Sequence, residues 1–319
     1  MTNELVAQPG ARLLTAEQFQ RLADVPTEIE WLANLGSKCT RRAYDEAIRD
    51  FMRFTGIAAP GEFRLVGRAH VIAWRDALIG RRLSPASVRH RLAALSSLFE
   101  YLCECNSVTN NPVKGVKRPA VETSVGKTPA LGDHQAAALL SAPTGESVKS
   151  KRDRAILATL LYHALRREEL CKLRVRDVGT MRRGIAHITV SGKGGKTRYV
   201  PLHPAAASLI ADYLEGAGHG ADADGGLFRA TQAQRTTPGN RALTPDAVYK
   251  LVRRYTGDLG FIVGAHSLRA TAATNALDNG ADIAKVQEWL GHANIATTRI
   301  YDHRRTRPED SPTYKVLYG

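Results

Sequence analysis

Between Ala265 and His303 the chain reads AHSLRATAATNALDNGADIAKVQEWLGHANIATTRIYDH. His266 and Arg269 stand one helical turn apart, His292 follows a Leu290-Gly291 helix stop, and Tyr301 is expected on a further short helix. A phosphodiester under attack gathers negative charge on its non-bridging oxygens, so its site needs fixed cations and hydrogen-bond donors converging on one point. Arginine and histidine supply them. The phenol of Tyr301 is the candidate nucleophile, weak at its free pKa of about 10 unless neighbours take its proton and stabilise the phosphorane. Singly these residues are weak signals: a lone His-x-x-Arg is more often a surface helix pair, and most tyrosines this deep in a chain are core or interface residues. The ordered set is what points to phosphoryl transfer.

As a set, His-x-Leu-Arg (His266, Leu268, Arg269), Leu-Gly-His (Leu290, Gly291, His292) and Tyr301 resemble the C-terminal signature of the tyrosine recombinases, the phage integrase and Xer group. The resemblance continues upstream. Leu165-Arg166-Arg167-Glu168-Glu169-Leu170 fits the family's Leu-Arg-x-x-Glu-Leu pattern, with Ala164 where a glycine is usual. That implies Arg166 as the first catalytic arginine and Glu169 as the acid that orients the site, with Arg167 a decoy. Ile185 to Val190 alternates like a strand, Ser191-Gly192-Lys193-Gly194-Gly195-Lys196 is a glycine-rich turn, and Thr197 to Leu202 is a second strand. A Walker phosphate loop is excluded because a helix would have to follow. In the family the first lysine of such a turn reaches the minor groove as general acid; here that is Lys193, with Lys196 the alternative.

The resemblance implies attack by Tyr301 on a scissile phosphate, giving a 3′-phosphotyrosyl enzyme and a free 5′-hydroxyl. Arg166 and Arg269 would clamp the non-bridging oxygens, which the planar fork of arginine suits. His292 would add a hydrogen bond, His266 would assist deprotonation of the tyrosine, and Lys193 would protonate the leaving oxygen. The bond energy stays in the linkage, so no ATP, cofactor or metal is implied. The expected partners are double-stranded DNA with a specific target site, a homotetramer on two DNA sites, and a related recombinase or accessory protein. Two rival functions fit the same residues: a type IB topoisomerase, and a DNA-binding accessory protein that kept the fold and lost activity. An integrase of a mobile element is favoured over a housekeeping enzyme because the tail after His303 departs from the helix with which many relatives end.

Composition agrees with a polyanion as partner. The chain has 319 residues, 43% hydrophobic and 24% charged, with a formal charge of +14 spread along its length. No apolar run of about 18 residues reads as a membrane span, and the N-terminus lacks a secretory pattern. Cys39, Cys103, Cys105 and Cys171 have neither disulfide nor zinc spacing and read as reduced thiols, so a cytoplasmic, nucleoid-associated protein is expected.

The elements that must hold these groups are mainly helical, with a small β-sheet. Capping boxes at Thr15 and Thr27 start short helices. Further helices run over Thr40 to Phe54 before Gly56, through Val71, Trp74 and Leu78, and from Ser84-Pro85 through Val88, Leu92, Leu95, Phe99 and Leu102. Arg41, Arg42, Arg81, Arg82, Arg89 and Arg91 stand on their outer faces, free to track phosphates or simply solvated. This resembles the family's core-binding, SAM-like bundle and is assigned to residues 13–118. A proline-containing run from Asn110 to Pro129 reads as extended and basic, with 119–130 as the interdomain linker. The catalytic domain spans 131–307. It has helices near Asp133 to Ser141, from about Lys151, over Pro204 to Glu215 and from Thr244-Pro245 through Leu259, with a soft loop at 216–226 and a mobile one at 231–240. The tail, 308–319, is broken by Pro308 and Pro312, with a short strand expected from Tyr314 to Tyr318.

Overall fold

A computed structural model of the chain describes residues 27–121, 128–192, 195–230, 242–302, 313 and 316. The chain forms two compact units, residues 1–122 and 123–319. The capping box at Thr15, the loop 231–240, Lys193 and nearly all of the tail lie outside the described residues.

In the first unit, α1 (Thr27–Asn34), α2 (Lys38–Thr55), α3 (Arg68–Gly80) and α4 (Pro85–Glu104) close around one core. Local chemistry sets their ends. Gly56 takes a left-handed conformation with φ 78° and returns its N–H to the Met52 carbonyl. Pro85 opens α4 while the Ser84 hydroxyl accepts the Ser87 N–H. The inward stripes Ile48 and Phe51, then Val71, Trp74 and Leu78, then Val88, Leu92, Leu95 and Phe99 make the core, with Phe51 and Trp74 edge to face at 5.1 Å.

One charge is buried among them. Asp50 accepts Trp74 Nε1–H at 3.2 Å and Arg81 Nη1–H at 2.9 and 3.0 Å, with Arg91 at 3.3 Å. Arg81 and Arg91 therefore brace the bundle instead of standing free on its outer face. The run from Asn110 also differs from an extended linker at its start. The Asn111 amide donates to the Ser96 carbonyl and to Glu100, and its oxygen accepts the Val113 N–H. Val113 and Val116 join the core. Two valines among prolines and lysines give no periodic signal, which is why this burial is invisible in the sequence.

The second unit runs α5 (Asp133–Ser141), α6 (Val148–His163), α7 (Arg167–Lys172), β1 (Val178–Arg182), β2 (Ile185–Ser191), β3 (Thr197–Pro201), α8 (Pro204–Ala217), α9 (Pro245–Asp258), α10 (Ala265–Asp278), α11 (Ile283–Leu290) and α12 (Ala296–Arg299). The sheet is antiparallel in the order β1-β2-β3, with Ile188 opposite Val200 and Val190 opposite Arg198. Ile156, Leu157 and Leu160 of α6 pack against Ile188, Val190 and Val200 of the sheet, Tyr213 of α8, Val248 and Val252 of α9 and Leu268 of α10.

The structure extends or departs from the sequence reading at five places. Helix α6 starts at Val148, not near Lys151, because Ser147 caps it by accepting the Ser150 N–H. It stops at His163, because Ala164 turns left-handed at φ 51°, so Arg166 heads a separate short helix. Strand β1 adds an edge to the expected hairpin; Gly179 and a register shift between Val178 and Thr180 hide it from an alternation search. Gly216 and Ala217 belong to α8, and His219 beyond them is buried, with its ring bonded to the Leu227 carbonyl at 3.1 Å. Leu259 is 36% exposed at the end of α9 and does not face inward.

Among the described residues no helix is long and apolar enough to cross a membrane, and no group of three His, Cys, Asp or Glu side chains is placed to hold a metal. All four cysteines are free thiols.

Candidate active site

The end of α6, the start of α7, the first turns of α10 and the turn after α11 meet around one buried cation. Arg269 on α10 is fully buried. Its Nη1 donates to the Ala164 carbonyl at 2.5 Å, and its Nη2 to the Leu290 carbonyl at 2.5 Å and to His292 Nε2 at 3.0 Å. Both carbonyls belong to helix ends closed by left-handed residues, Ala164 at φ 51° and Gly291 at φ 66°, which leave acceptors without intrahelical donors. Burial, with Arg166 adding to it, pushes the Arg269 pKa down to about 10, so it stays cationic at neutral pH. Its Nε is buried without a partner among the described residues.

His292 sits between Arg269 and Thr298, with Nδ1 at 3.0 Å from Thr298 Oγ. Burial, then the charges of Arg269 and Arg166, push its pKa down to about 4, so the ring is neutral at pH 7. Arginine has only donors. His292 Nε2 must therefore accept from it, and the ring proton resides on Nδ1, donated to Thr298. His266, in the first turn of α10, is exposed to solvent. Crowding by protein lowers its pKa, with Arg269 and Arg166 adding to the effect.

Tyr301 is 3% exposed, in a small cluster with Ala164, Ala270, Ala273, Val286 and Leu290. It lies in a turn just past α12 instead of on a helix, because that helix holds only four residues and its last turn tightens so that the Tyr301 N–H reaches Thr298 O at 3.0 Å. Its carbonyl accepts from Thr274 Oγ of α10 at 3.3 Å. The phenol ring stands 6.3 Å from the His292 ring, centre to centre. Burial raises its pKa, while Arg269 and Arg166 pull it back down.

Arg166 caps α7. Its N–H and its Nη1 both donate to Glu169, each at 2.9 Å, while its side chain stays 40% exposed. Glu169 is 5% exposed. Burial alone would raise its pKa, but Arg198 and Arg166 outweigh it and hold the carboxyl down at about 2. Arg167 and Lys196 both face solvent. Lys193 lies outside the described residues; the hairpin around it is closed by the Gly192 N–H to the Lys196 carbonyl at 2.7 Å.

The structure thus brings Arg166, Glu169, Arg269, His292 and Tyr301 together with His266 at the rim. Two neighbours escaped the sequence reading. Arg198 forks onto both oxygens of Glu169 at 2.9 and 2.8 Å. Its signal was present: it shares the inward face of β3 with Val200, and a charge there requires a buried partner. Thr298 had no signal, since only the fold places it beside His292.

The phage integrase family profile matches residues 130–307, and the phage integrase N-terminal SAM-like domain matches residues 33–107. The tyrosine recombinase XerC of Pelobacter propionicus is 34% identical over 265 residues, covering 83% of this chain and 84% of that protein. The tyrosine recombinase XerD of Shewanella oneidensis is 28% identical over 291 residues, covering 90% and 93%. A solved lambda integrase dimer bound to a COC′ core site superposes with a TM-score of 0.66 at 17% identity, over 92% of this chain and 98% of that one, a likeness of fold.

Proposed function

We propose a phosphotyrosyl mechanism centred on Tyr301 for this chain, which belongs to the phage integrase family of tyrosine recombinases, enzymes that cleave and rejoin DNA at specific sites. The observation that carries the reading is the pairing of Arg269 with His292, whose ring stands 6.3 Å from the Tyr301 ring, with Arg166 near enough for its charge to act on both. The phenol oxygen attacks the scissile phosphorus. A bond forms between Tyr301 and the 3′-phosphate, the bond to the 5′-oxygen breaks, and that oxygen takes a proton from Lys193. His266, neutral at pH 7, receives the phenolic proton. Arg166 and Arg269 offset the charge gathering on the non-bridging oxygens, where fixed cations act most strongly in a site shielded from water. Attack by the 5′-hydroxyl of a partner strand reverses the steps and reseals the backbone.

Full exchange cuts two strands on each of two duplexes. With one tyrosine per cut, four copies on two DNA sites follow from the chemistry. The basic outer faces of the first unit serve as the clamp on the duplex, and the tail sequence after His303 favours a mobile-element recombinase.

The test is a denaturing gel of the protein with nicked duplexes drawn from DNA flanking its own gene, beside Tyr301→Phe. A band that survives denaturant, disappears with protease and is absent from the variant is expected. Tight binding without that band would replace this reading with an inactive accessory protein. Cleavage only at sites remote from the gene would remove the mobile-element assignment.

A further inference from the structure

We infer that Arg198 is a positioning residue for strand cleavage: by locking both oxygens of Glu169 it leaves the charge of Arg166 turned outward, toward the scissile phosphate. The inference rests on the phosphotyrosyl reading above and adds a residue to it.

The geometry is asymmetric. Arg198 takes Glu169 with two guanidinium nitrogens, at 2.9 and 2.8 Å, whereas Arg166 uses a single one, at 2.9 Å. The Arg198 side chain is 17% exposed and that of Arg166 is 40% exposed. The buried member is spent on the carboxylate, and the open member keeps most of its donors. Without Arg198, Arg166 would be the one guanidinium partner of Glu169 among the described residues. The favoured bidentate pairing would then draw Arg166 inward and cancel the cation that the phosphate needs. With Arg198 present, two guanidinium groups share one carboxylate, and the trio keeps a net positive charge.

The same side chain also meets two other parts of the site. A Cβ on Gly291, just before His292, would stand 3.4 Å from Arg198 Cδ. A Cβ on Gly192, just before Lys193, would stand 3.8 Å from Arg198 Nη1 and only 3.2 Å from the Lys196 carbonyl. Both distances to Arg198 are ordinary contact distances, so the backbone at each glycine passes beside the Arg198 side chain. Arg198 thus holds the acid directly and lies beside Gly192 and the turn leading to His292.

The experiment measures single-turnover covalent cleavage of a nicked duplex at saturating protein, with DNA affinity and melting temperature measured alongside. The proteins are wild type, Arg198→Met, Arg198→Lys, Glu169→Gln, the Arg198→Met/Glu169→Gln double variant and Tyr301→Phe. Arg198→Met should slow cleavage about 10- to 100-fold at unchanged DNA affinity, the cost of a small misplacement of a catalytic group. Arg198→Lys should recover only part, because an ammonium cannot bridge both oxygens. The losses from Arg198→Met and Glu169→Gln should fall short of adding in the double variant. A duplex with a neutral methylphosphonate at the scissile position should narrow the gap between wild type and either Arg198 variant, since Arg166 then has no charge to offset; a purely structural loss would not change with substrate. Wild-type cleavage by Arg198→Met, or a deficit equal on both substrates, would overturn the inference. If Arg198→Met fails to fold, the substrate dependence of Arg198→Lys decides. A covalent band from Tyr301→Phe would instead overturn the nucleophile assignment, and the substrate dependence would still decide Arg198.

Discussion

Arg269 Nη2 and His292 Nε2 stand 3.0 Å apart, and this contact fixes where the imidazole keeps its proton. With Nε2 accepting from the arginine, Nδ1–H points at Thr298 Oγ, also at 3.0 Å. Thr298 thereby accepts the proton that the arginine leaves on Nδ1 and holds the ring in its plane. Thr298→Val keeps the shape and removes the acceptor. It should slow covalent-complex formation about tenfold, the rate equivalent of one lost hydrogen bond of about 1 kcal/mol, with DNA affinity unchanged. Nitrogen NMR of labelled histidine should find the His292 proton on Nδ1 in both proteins, because Arg269 can only donate to Nε2. An unchanged rate would show that Arg269 alone sets the ring.

His163 offers a pH test of stability. It is 1% exposed, its Nδ1–H donates to the Thr159 carbonyl at 3.1 Å, and its Nε2 accepts the His203 N–H at 3.0 Å. Burial pushes its pKa down to about 4. Below the unfolded value of about 6.5 the unfolded chain takes a proton that the folded one refuses. The contribution is therefore intact above about pH 6.5 and lost as pH falls toward about 4, by about 3 kcal/mol over that window. Urea unfolding at about pH 7 and about pH 4.5 should show this fall in the wild type and a shallower one in His163→Gln. Equal slopes would mean that other groups dominate acid sensitivity.

The Asp50 network should carry a large share of the first unit's stability. Asp50→Ala leaves Arg91, whose side chain is 18% exposed, without its buried counter-ion and leaves the Trp74 indole N–H without an acceptor. Breaking such a buried pair from one side costs about 3 kcal/mol. Chemical denaturation followed by tryptophan fluorescence should show a loss of that size, and a loss under about 1 kcal/mol would mean that water takes over the vacated site.

Most of the first unit was legible because its helices follow the 3.6-residue period and carry their own end signals, the Gly56 stop and the Ser84-Pro85 start among them. The catalytic signature was legible because arginine, histidine and tyrosine at fixed spacing have few uses in combination. What stayed hidden was set by long-range contacts. Nothing local to Val113 and Val116 announces that they are buried, and nothing local to Thr298 places it on a histidine. Ala164 falls between the two cases. The family's usual glycine at this position hinted at an unusual backbone, and the structure supplies the reason: φ is 51° and ψ 32°, a conformation that costs an alanine about 1 kcal/mol.

The two carbonyls gripped by Arg269 bear on how such sequences decay. They cap helix ends inside the protein, so an arginine lost there would leave both acceptors stranded whether or not DNA is ever cut. Selection for a folded protein alone would preserve Arg269 in a descendant that had given up strand cleavage. The open side chain of Arg166 has much less protection of that kind. Among homologues of this chain, erosion of activity should therefore be recorded first at Arg166, with Arg269 persisting as a relic of architecture.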